Sequence, residues 1–241
     1  MPTPCHDRRA VSRSYTRCVQ RFGPLQPGTV TDAMGFATRE RAQRPGAHVE
    51  ICMITTTDGV TAVGNQSAPL GGPEDQAILR AWRQNCDIVL VGAGTVRKEG
   101  YGLPGRPDLQ IAVVTESCSL DWTVPLFASG RGIIATSHGA PQVPVRSLRA
   151  GDGAVDLSGI IRLIHDDLGA SVVHVEGGPT LNAALLGADL VDAINLTFSP
   201  RLAGPHGGDP IVTAFAGPRG FALVDAARDG DFVFTRYERA R

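Results

Sequence analysis

The stretch "VVHVEGGPTLNAALL", residues 172–186, sets β-branched residues, an acid, two glycines, a proline and a helical pattern side by side. Val172, Val173 and Val175 read as a strand, because β-branched side chains suit a pleated surface. Gly177 and Gly178 then let the chain turn sharply. Pro179 fits the first helical position, where its missing N–H would have had no intrahelical partner. Leu181, Ala184, Leu185 and Ala188 follow at helical spacing and predict the face that packs on a sheet. A strand that passes through glycines into a helix leaves the N–H groups of Gly177, Gly178, Thr180 and Leu181 at the positive end of a helix dipole, which suits a pyrophosphate. Glu176 would stand at the carboxyl end of that strand. It reads either as an acid that holds a substrate polar group or manages a proton, or as a helix-start acid stabilised by the dipole.

The same alternation extends outward on both sides. "HVEICMITT" (48–56), "DIVLVGA" (87–93), "LQIAVVT" (109–115) and "GIIAT" (132–136) are apolar runs of strand length, and near-continuous runs suit strands covered on both faces. Between them, "GGPEDQAILRAWRQN" opens on a proline and two acids and carries Ile78, Leu79 and Trp82 at helical spacing, and "LSGIIRLIHDDLG" (157–169) is a second helix. Strands alternating with helices predict an α/β fold with a mostly parallel central sheet. After the helix at 179–188, "VDAINLTFSP", "FALVDAAR" and "DFVFTRYER" are three strand-like segments with no helix between them. They predict an antiparallel C-terminal edge.

Composition narrows the partners. The 241 residues carry 23 basic and 24 acidic side chains, a formal net charge of -1, so bulk electrostatics gives no reason to propose a nucleic acid or an anionic membrane. No stretch approaches the roughly 18 apolar residues of a membrane helix. Cys5, Cys18, Cys52, Cys86 and Cys118 are scattered and odd in number, which suggests neither a disulfide framework nor a zinc site and fits a reducing cytoplasm. The histidines show no metal spacing, so no metal is expected, and His174 reads as a satisfied core residue. Residues 1–43 are set apart as an N-terminal extension, with one globular, enzyme-sized unit from 44 to 241. The first 22 or so, with five arginines against Asp7 alone, read as a disordered, solvated extension or misassigned start, and their composition is superficially that of a transit peptide.

Two further strand ends offer ligand contacts. "VLVGAGTVRKEG" begins like a dinucleotide fingerprint with Gly92 and Gly94, but Arg97 occupies the third glycine position, which disfavours a standard Rossmann assignment. Gly92, Gly94, Thr95 and Val96 could still present N–H groups to a phosphate, with charge from Arg97; a tight packing turn is the other reading. "VVTESCS" and "IIATSHG" offer Thr115, Ser117, Thr136 and Ser137, either as phosphate or ribose donors or as ordinary turn formers.

Taken together, "TTDG" (56–59), "DIVLVGAGTVRKEGYG" (87–102) and "VEGGPTLNAALLGADLVDAINLTFSPRLAGP" (175–205) resemble, in order and spacing, the reductase domain of bacterial riboflavin biosynthesis, the C-terminal half of the bifunctional deaminase-reductases. The resemblance runs from about residue 44 to 240 and implies a dihydrofolate reductase-like three-layer fold in a stand-alone pyrimidine reductase. It implies NADPH as cofactor, held by Gly92, Gly94, Thr95, Val96 and Arg97, by Gly177, Gly178, Pro179, Thr180 and Leu181, and at its 2′-phosphate by Thr115 or Ser117. Glu176 matches the acid beside the substrate, and Asp58 and Arg106 match substrate contacts. Glu99, Gly100 and Tyr101 stand where the family has Asp-Asp-Pro, so Glu99 is the remaining catalytic candidate beside Glu176; Cys52 replaces a usual Lys or Asn. The implied reaction is reduction of a ribosylamino-pyrimidine phosphate, as in 5-amino-6-(5-phosphoribosylamino)uracil reductase. A dihydrofolate reductase-like activity on a pterin and a catalytically silent NADPH-binding protein stay open, and the family implies a homodimer.

Overall fold

The computed structural model describes residues 29–34, 46–204, 207–213 and 217–240; the Arg-rich start lies outside them. A short helix α1 (Val30–Ala33) precedes strands β1 (His48–Thr56) and β2 (Val60–Ala62) and helix α2 (Pro73–Gln84). Then come β3 (Ile88–Gly92), α3 (Ala93–Glu99), β4 (Gln110–Val114), α4 (Pro125–Ala128), β5 (Gly132–Thr136) and β6 (Ser147–Arg149). The remainder is α5 (Leu157–Leu168), β7 (Val172–Val175), α6 (Pro179–Gly187), β8 (Ala193–Ser199), β9 (Asp209–Pro210), β10 (Phe221–Asp229) and β11 (Phe232–Arg239).

Nine strands form one sheet in the order β10-β11-β8-β1-β7-β3-β4-β5-β6, parallel from β8 to β6, with β11 antiparallel to β8 and β10 paired to it as a hairpin. The expected antiparallel edge is therefore two strands wide, not three. β8 lies parallel to β1, Glu50 opposite Ala193 through Thr56 opposite Ser199, because α6 carries the chain from β7 back over the sheet before β8 begins. A helical crossover delivers the next strand in the same direction.

Alternating side chains divide the core into two layers. Ile88 and Leu90 of β3 face α5 and α6, packing with Ile160, Ile164, Leu181 and Leu185. Val89 and Val91 face the other way, among Val96 of α3 and Leu126 and Phe127 of α4. The three layers of the expected architecture follow from this two-residue period. On the second face Ile78 and Trp82 of α2 meet Phe234 of β11 and, from the stretch set aside as extension, Val30 and Met34. α6 differs from its sequence reading in one respect. Leu181 and Leu185 are buried as expected, but Ala184 and Ala188 are exposed and Asn182, Ala183 and Leu186 are inside. The helix is pressed from a second side by the 211 loop, whose Ile211 carbonyl accepts a hydrogen bond from Asn182 Nδ2 at 2.9 Å.

β6, β2 and β9 were not expected. β2 and β9 form a separate two-stranded ribbon, and Gly208 lets the two come together, since a Cβ there would lie 1.7 Å from the Ala62 carbonyl oxygen.

Candidate active site

β1, β7 and β3 are neighbours in the sheet and run in one direction, so the loops at their carboxyl ends meet. In an open parallel sheet that edge is where ligands sit. The Gly92 N–H donates to the Gly177 carbonyl at 3.1 Å. A Cβ on Gly178 would stand 3.3 Å from Thr95 Oγ1, and one on Gly177 would strike the Met53 sulfur at 2.6 Å. Both glycines hold positive φ, 89° and 99°, a conformation that a side chain resists. The two glycine turns read separately from the sequence thus form one surface, with Pro179 opening α6 just behind it.

Beside that surface lies a cavity of about 150 Å³. Its floor is Cys52, Met53 and Ile54 of β1; its walls are Asp75, Leu79 and Arg83 of α2, Thr95, Lys98 and Glu99 of α3, Tyr101, Glu176, Gly178 and Pro179, and Thr61, Ala62, Asn65, Ser67 and Asp209 complete the rim. An ion pair of 2.6 Å between Lys98 and Asp209 joins α3 to the β2–β9 ribbon across the opening.

Glu176 is at the cavity wall with its side chain 6% exposed. Arg83 grips it with both arms of the guanidinium, Nε to Oε1 and Nη2 to Oε2, each 2.6 Å, and Nη2 also donates to the Tyr101 hydroxyl at 3.1 Å. Burial works against the Arg83 charge, but the hydrogen bonds and charge of Glu176 outweigh it and raise the guanidinium above its ordinary value. Behind Glu176, His174 Nε2 stands 3.4 Å from Oε1 and its ring stacks on Trp82 with centroids 5.5 Å apart. His174 is fully buried, the core residue expected from its place in an apolar strand. Burial, reinforced by Asp75, Glu176 and Glu50, pushes the Cys52 thiol well above its usual range, so a neutral thiol stands where the family usually carries a polar cation or amide.

The other candidates divide. Glu99 reaches the cavity and accepts from the Ser67 N–H at 3.2 Å and the Ser67 hydroxyl at 3.0 Å. Thr95 lines it; Gly94, Val96 and Arg97 do not, and Arg97 turns outward to donate to the Ser119 carbonyl at 3.1 Å. That places its charge against the loop holding Thr115 and Ser117, whose hydroxyl oxygens accept the N–H groups of Cys118 and Ser119 at 3.1 and 3.3 Å. Asp58 and Arg106 lie apart from the cavity. Asp58 caps a turn, accepting from the Thr56 hydroxyl and from the N–H groups of Ala203 and Gly204, which together lower its pKa. Arg106 donates to the carbonyls of Gln84 and Cys86 and pairs with Asp108. Both are the right residue types for a substrate, but local backbone groups have taken them.

Sequence reasoning missed Arg83 and Asp75. A signal was present: Asp75, Leu79 and Arg83 are four residues apart and share one face of α2.

These features define an α/β protein with a cleft at the carboxyl ends of its parallel strands and backbone shaped by glycines beside it. The family model described as the RibD C-terminal domain matches residues 47–221, and the chain belongs to that family of riboflavin-biosynthesis reductases. A curated relative from Methanothermobacter thermautotrophicus, 2,5-diamino-6-ribosylamino-4(3H)-pyrimidinone 5′-phosphate reductase, is 30% identical over 168 residues, which cover 62% of this chain and 76% of the relative. Among solved structures, a pyrimidine reductase-like protein from Corynebacterium diphtheriae superposes with a TM-score of 0.71 at 19% identity, over 81% of this chain and 92% of its own. A dihydrofolate reductase from Enterococcus faecalis does so at 0.52 and 15% identity, over 80% and 97%. The dihydrofolate reductase-like fold expected from the sequence is therefore the fold observed, and the reductase family implies a nicotinamide cofactor. Among the described residues, no helix is long and apolar enough to cross a membrane.

Proposed function

We propose that this chain is an NADPH-dependent reductase that converts a ribosylaminopyrimidine 5′-phosphate to its ribityl form; its curated relative is named as a reductase of such a phosphate. The observation that carries this reading is the meeting of the two glycine turns against the one cavity in which Glu176 stands. The turn at Gly177 and Gly178 fits a pyrophosphate. Met53 and Thr95 close off the space a Cβ would need, so backbone rather than side chain faces the cleft, and α6 adds its first-turn N–H groups and dipole. Gly92, Gly94, Thr95 and Val96 on one side and Gly177 to Leu181 on the other are the proposed cofactor contacts. Arg97, lying against the Thr115–Ser117 loop, supplies the charge that distinguishes NADPH from NADH at the 2′-phosphate.

When bound, the nicotinamide supplies a hydride. In the substrate the bond between C1′ and the ring oxygen breaks, C1′ takes the hydride, and the ring oxygen takes a proton. Glu176 and Glu99, two of the acids that line the cavity, are the groups we assign to the substrate and that proton. Arg83 holds the Glu176 carboxylate in a fixed plane, and Met53, Ile54 and Leu79 keep water from the reacting carbon. Asp58 and Arg106 have no part in this assignment. The homodimer belongs to the same proposal, supported by Leu223 and Val224, which are 56% and 42% exposed on the edge strand β10. The cytoplasm does too, supported by the free thiols of Cys52, Cys86 and Cys118.

The test is loss of NADPH absorbance on adding the pyrimidine phosphate to purified protein, with NADH as the second arm. Oxidation of NADPH in preference to NADH is expected. Absence of NADPH-selective binding would overturn the reading.

A further inference from the structure

The cavity holds an acid to which nothing above assigns a role. Asp75 is half-buried in the first turn of α2 and faces the same space as Glu176 and Glu99. Its carboxylate has been given room: a Cβ on Gly71 would lie 2.6 Å from Asp75 Oδ2. The Thr197 hydroxyl of β8 is its hydrogen-bonding neighbour, and burial, which the Thr197 bond offsets only in part, raises its pKa. Among the described residues it forms no ion pair. The two cations of the cavity are already committed, Arg83 to both oxygens of Glu176 and Lys98 to Asp209. On the β1 side its neighbour is the Cys52 thiol, which burial keeps neutral.

A carboxylate has two acceptor oxygens and nothing to donate. Set in a wall with Ile54 and Leu79 and without a free cation, it is satisfied by a ligand that presents two adjacent N–H donors in one plane. We propose that Asp75 is the specificity-determining residue of this cavity, taking the edge of a 2-amino-4-oxopyrimidine ring, the ring N–H beside the exocyclic amine, and rejecting a 2,4-dioxo ring. The dioxo edge would turn a carbonyl oxygen toward the carboxylate. This inference rests on the proposed reading of the cavity as the heterocycle site, and it selects the diamino substrate over the uracil one. A fused pterin ring carries the same edge, so the chemistry is shared by two sources.

The test compares three ligands, 2,5-diamino-6-ribosylamino-4(3H)-pyrimidinone 5′-phosphate, its uracil counterpart and dihydrofolate. Both NADPH oxidation and equilibrium binding to the NADP⁺-loaded protein are measured. Wild type should favour the diamino compound over the uracil by about 10- to 100-fold in kcat/KM and in Kd, the worth of a charged hydrogen-bond pair. Asp75→Asn places an N–H opposite the 2-oxo oxygen, so it should shrink or reverse that ratio. Asp75→Ala should weaken the diamino compound with no gain for uracil. A merely structural role would move both ligands together. Equal or better use of uracil by wild type, or an unchanged ratio in Asp75→Asn, overturns the inference and leaves the reductase reading intact. A binding preference for the diamino ring without oxidation upholds the inference and overturns the reductase reading. Preference confined to dihydrofolate upholds the recognised edge and moves the reaction to the fused ring, while binding of none of the three overturns both.

Discussion

Two arginine–carboxylate pairs are linked through Trp82 and His174, and their fates differ. Arg236 of β11 grips Glu50 of β1 at 3.1 and 3.2 Å and reaches Asn195 and Glu238 as well, with both members of the pair at most 1% exposed. Arg83 also holds both oxygens of Glu176, through Nε and Nη2 rather than the two Nη groups, but its side chain is 25% exposed and the pair opens on the cavity. The first pair has no access to anything but protein. The second can give one of its oxygens to a ligand. The pairs are also connected: the Arg236 guanidinium lies 5.5 Å over the Trp82 ring, Trp82 stacks on His174, and His174 stands against Glu176. The same chemistry is thus buried scaffold in one pair and cavity wall in the other, according to its exposure.

Four substitutions probe that contrast. The largest effect is expected from Arg236→Met, which leaves Glu50 buried without its guanidinium and should cost about 3–5 kcal/mol in urea unfolding. Adding Glu50→Leu should recover much of the loss, because the uncompensated charge goes with it. A single-mutant cost below about 1 kcal/mol would end the distinction between the pairs. Glu176→Gln should lower kcat by about 100-fold, the lower end for a group that handles a proton, while stability changes by only about 1 kcal/mol, since Arg83 can turn toward water. Equal losses of stability in the two experiments would show that both pairs are scaffold. The smallest effect concerns Asp75. Its folded-state pKa is raised by burial, so ionisation opposes folding, and its contribution is favourable below the unfolded value of about 3.9 and lost as pH rises through the folded one. Asp75→Asn should therefore raise the unfolding midpoint at neutral pH, with the gain shrinking toward pH 4. A gain that persists unchanged in acid would sever its link to ionisation.

Much of this fold could be read from the chain. β1, β3, β4, β5 and β7 are apolar runs covered on both faces, and such runs announce themselves. The Gly177-Gly178-Pro179 junction was legible because the turn and the helix start each restrict the residue types allowed. β2, β6 and β9 were not, since two or three residues carry no period. The direction of β8 was misread for another reason: strand patterns carry no polarity, and only the crossover through α6 decides it.

Site residues divide in the same way. Glu176 was legible from its position at a strand end. Asp75 and Arg83 share one face of α2, but only the docking of α2 over β1 turns that face inward. Asp58 and Arg106 had suitable chemistry but are held by the 203–204 N–H groups and by the carbonyls of Gln84 and Cys86. Residue type cannot reveal such local competition.

What the sequence by itself determined is the order of strands and helices, the glycine turns and the acid at 176, because each depends on neighbours along the chain. Tertiary structure alone decided which turns meet, which arginine holds Glu176 and which acids face the cavity. Those depend on β1, β7 and β3 lying side by side, an adjacency created by pairing residues far apart in the chain, His48 with Val172 and Ile88 with Val173.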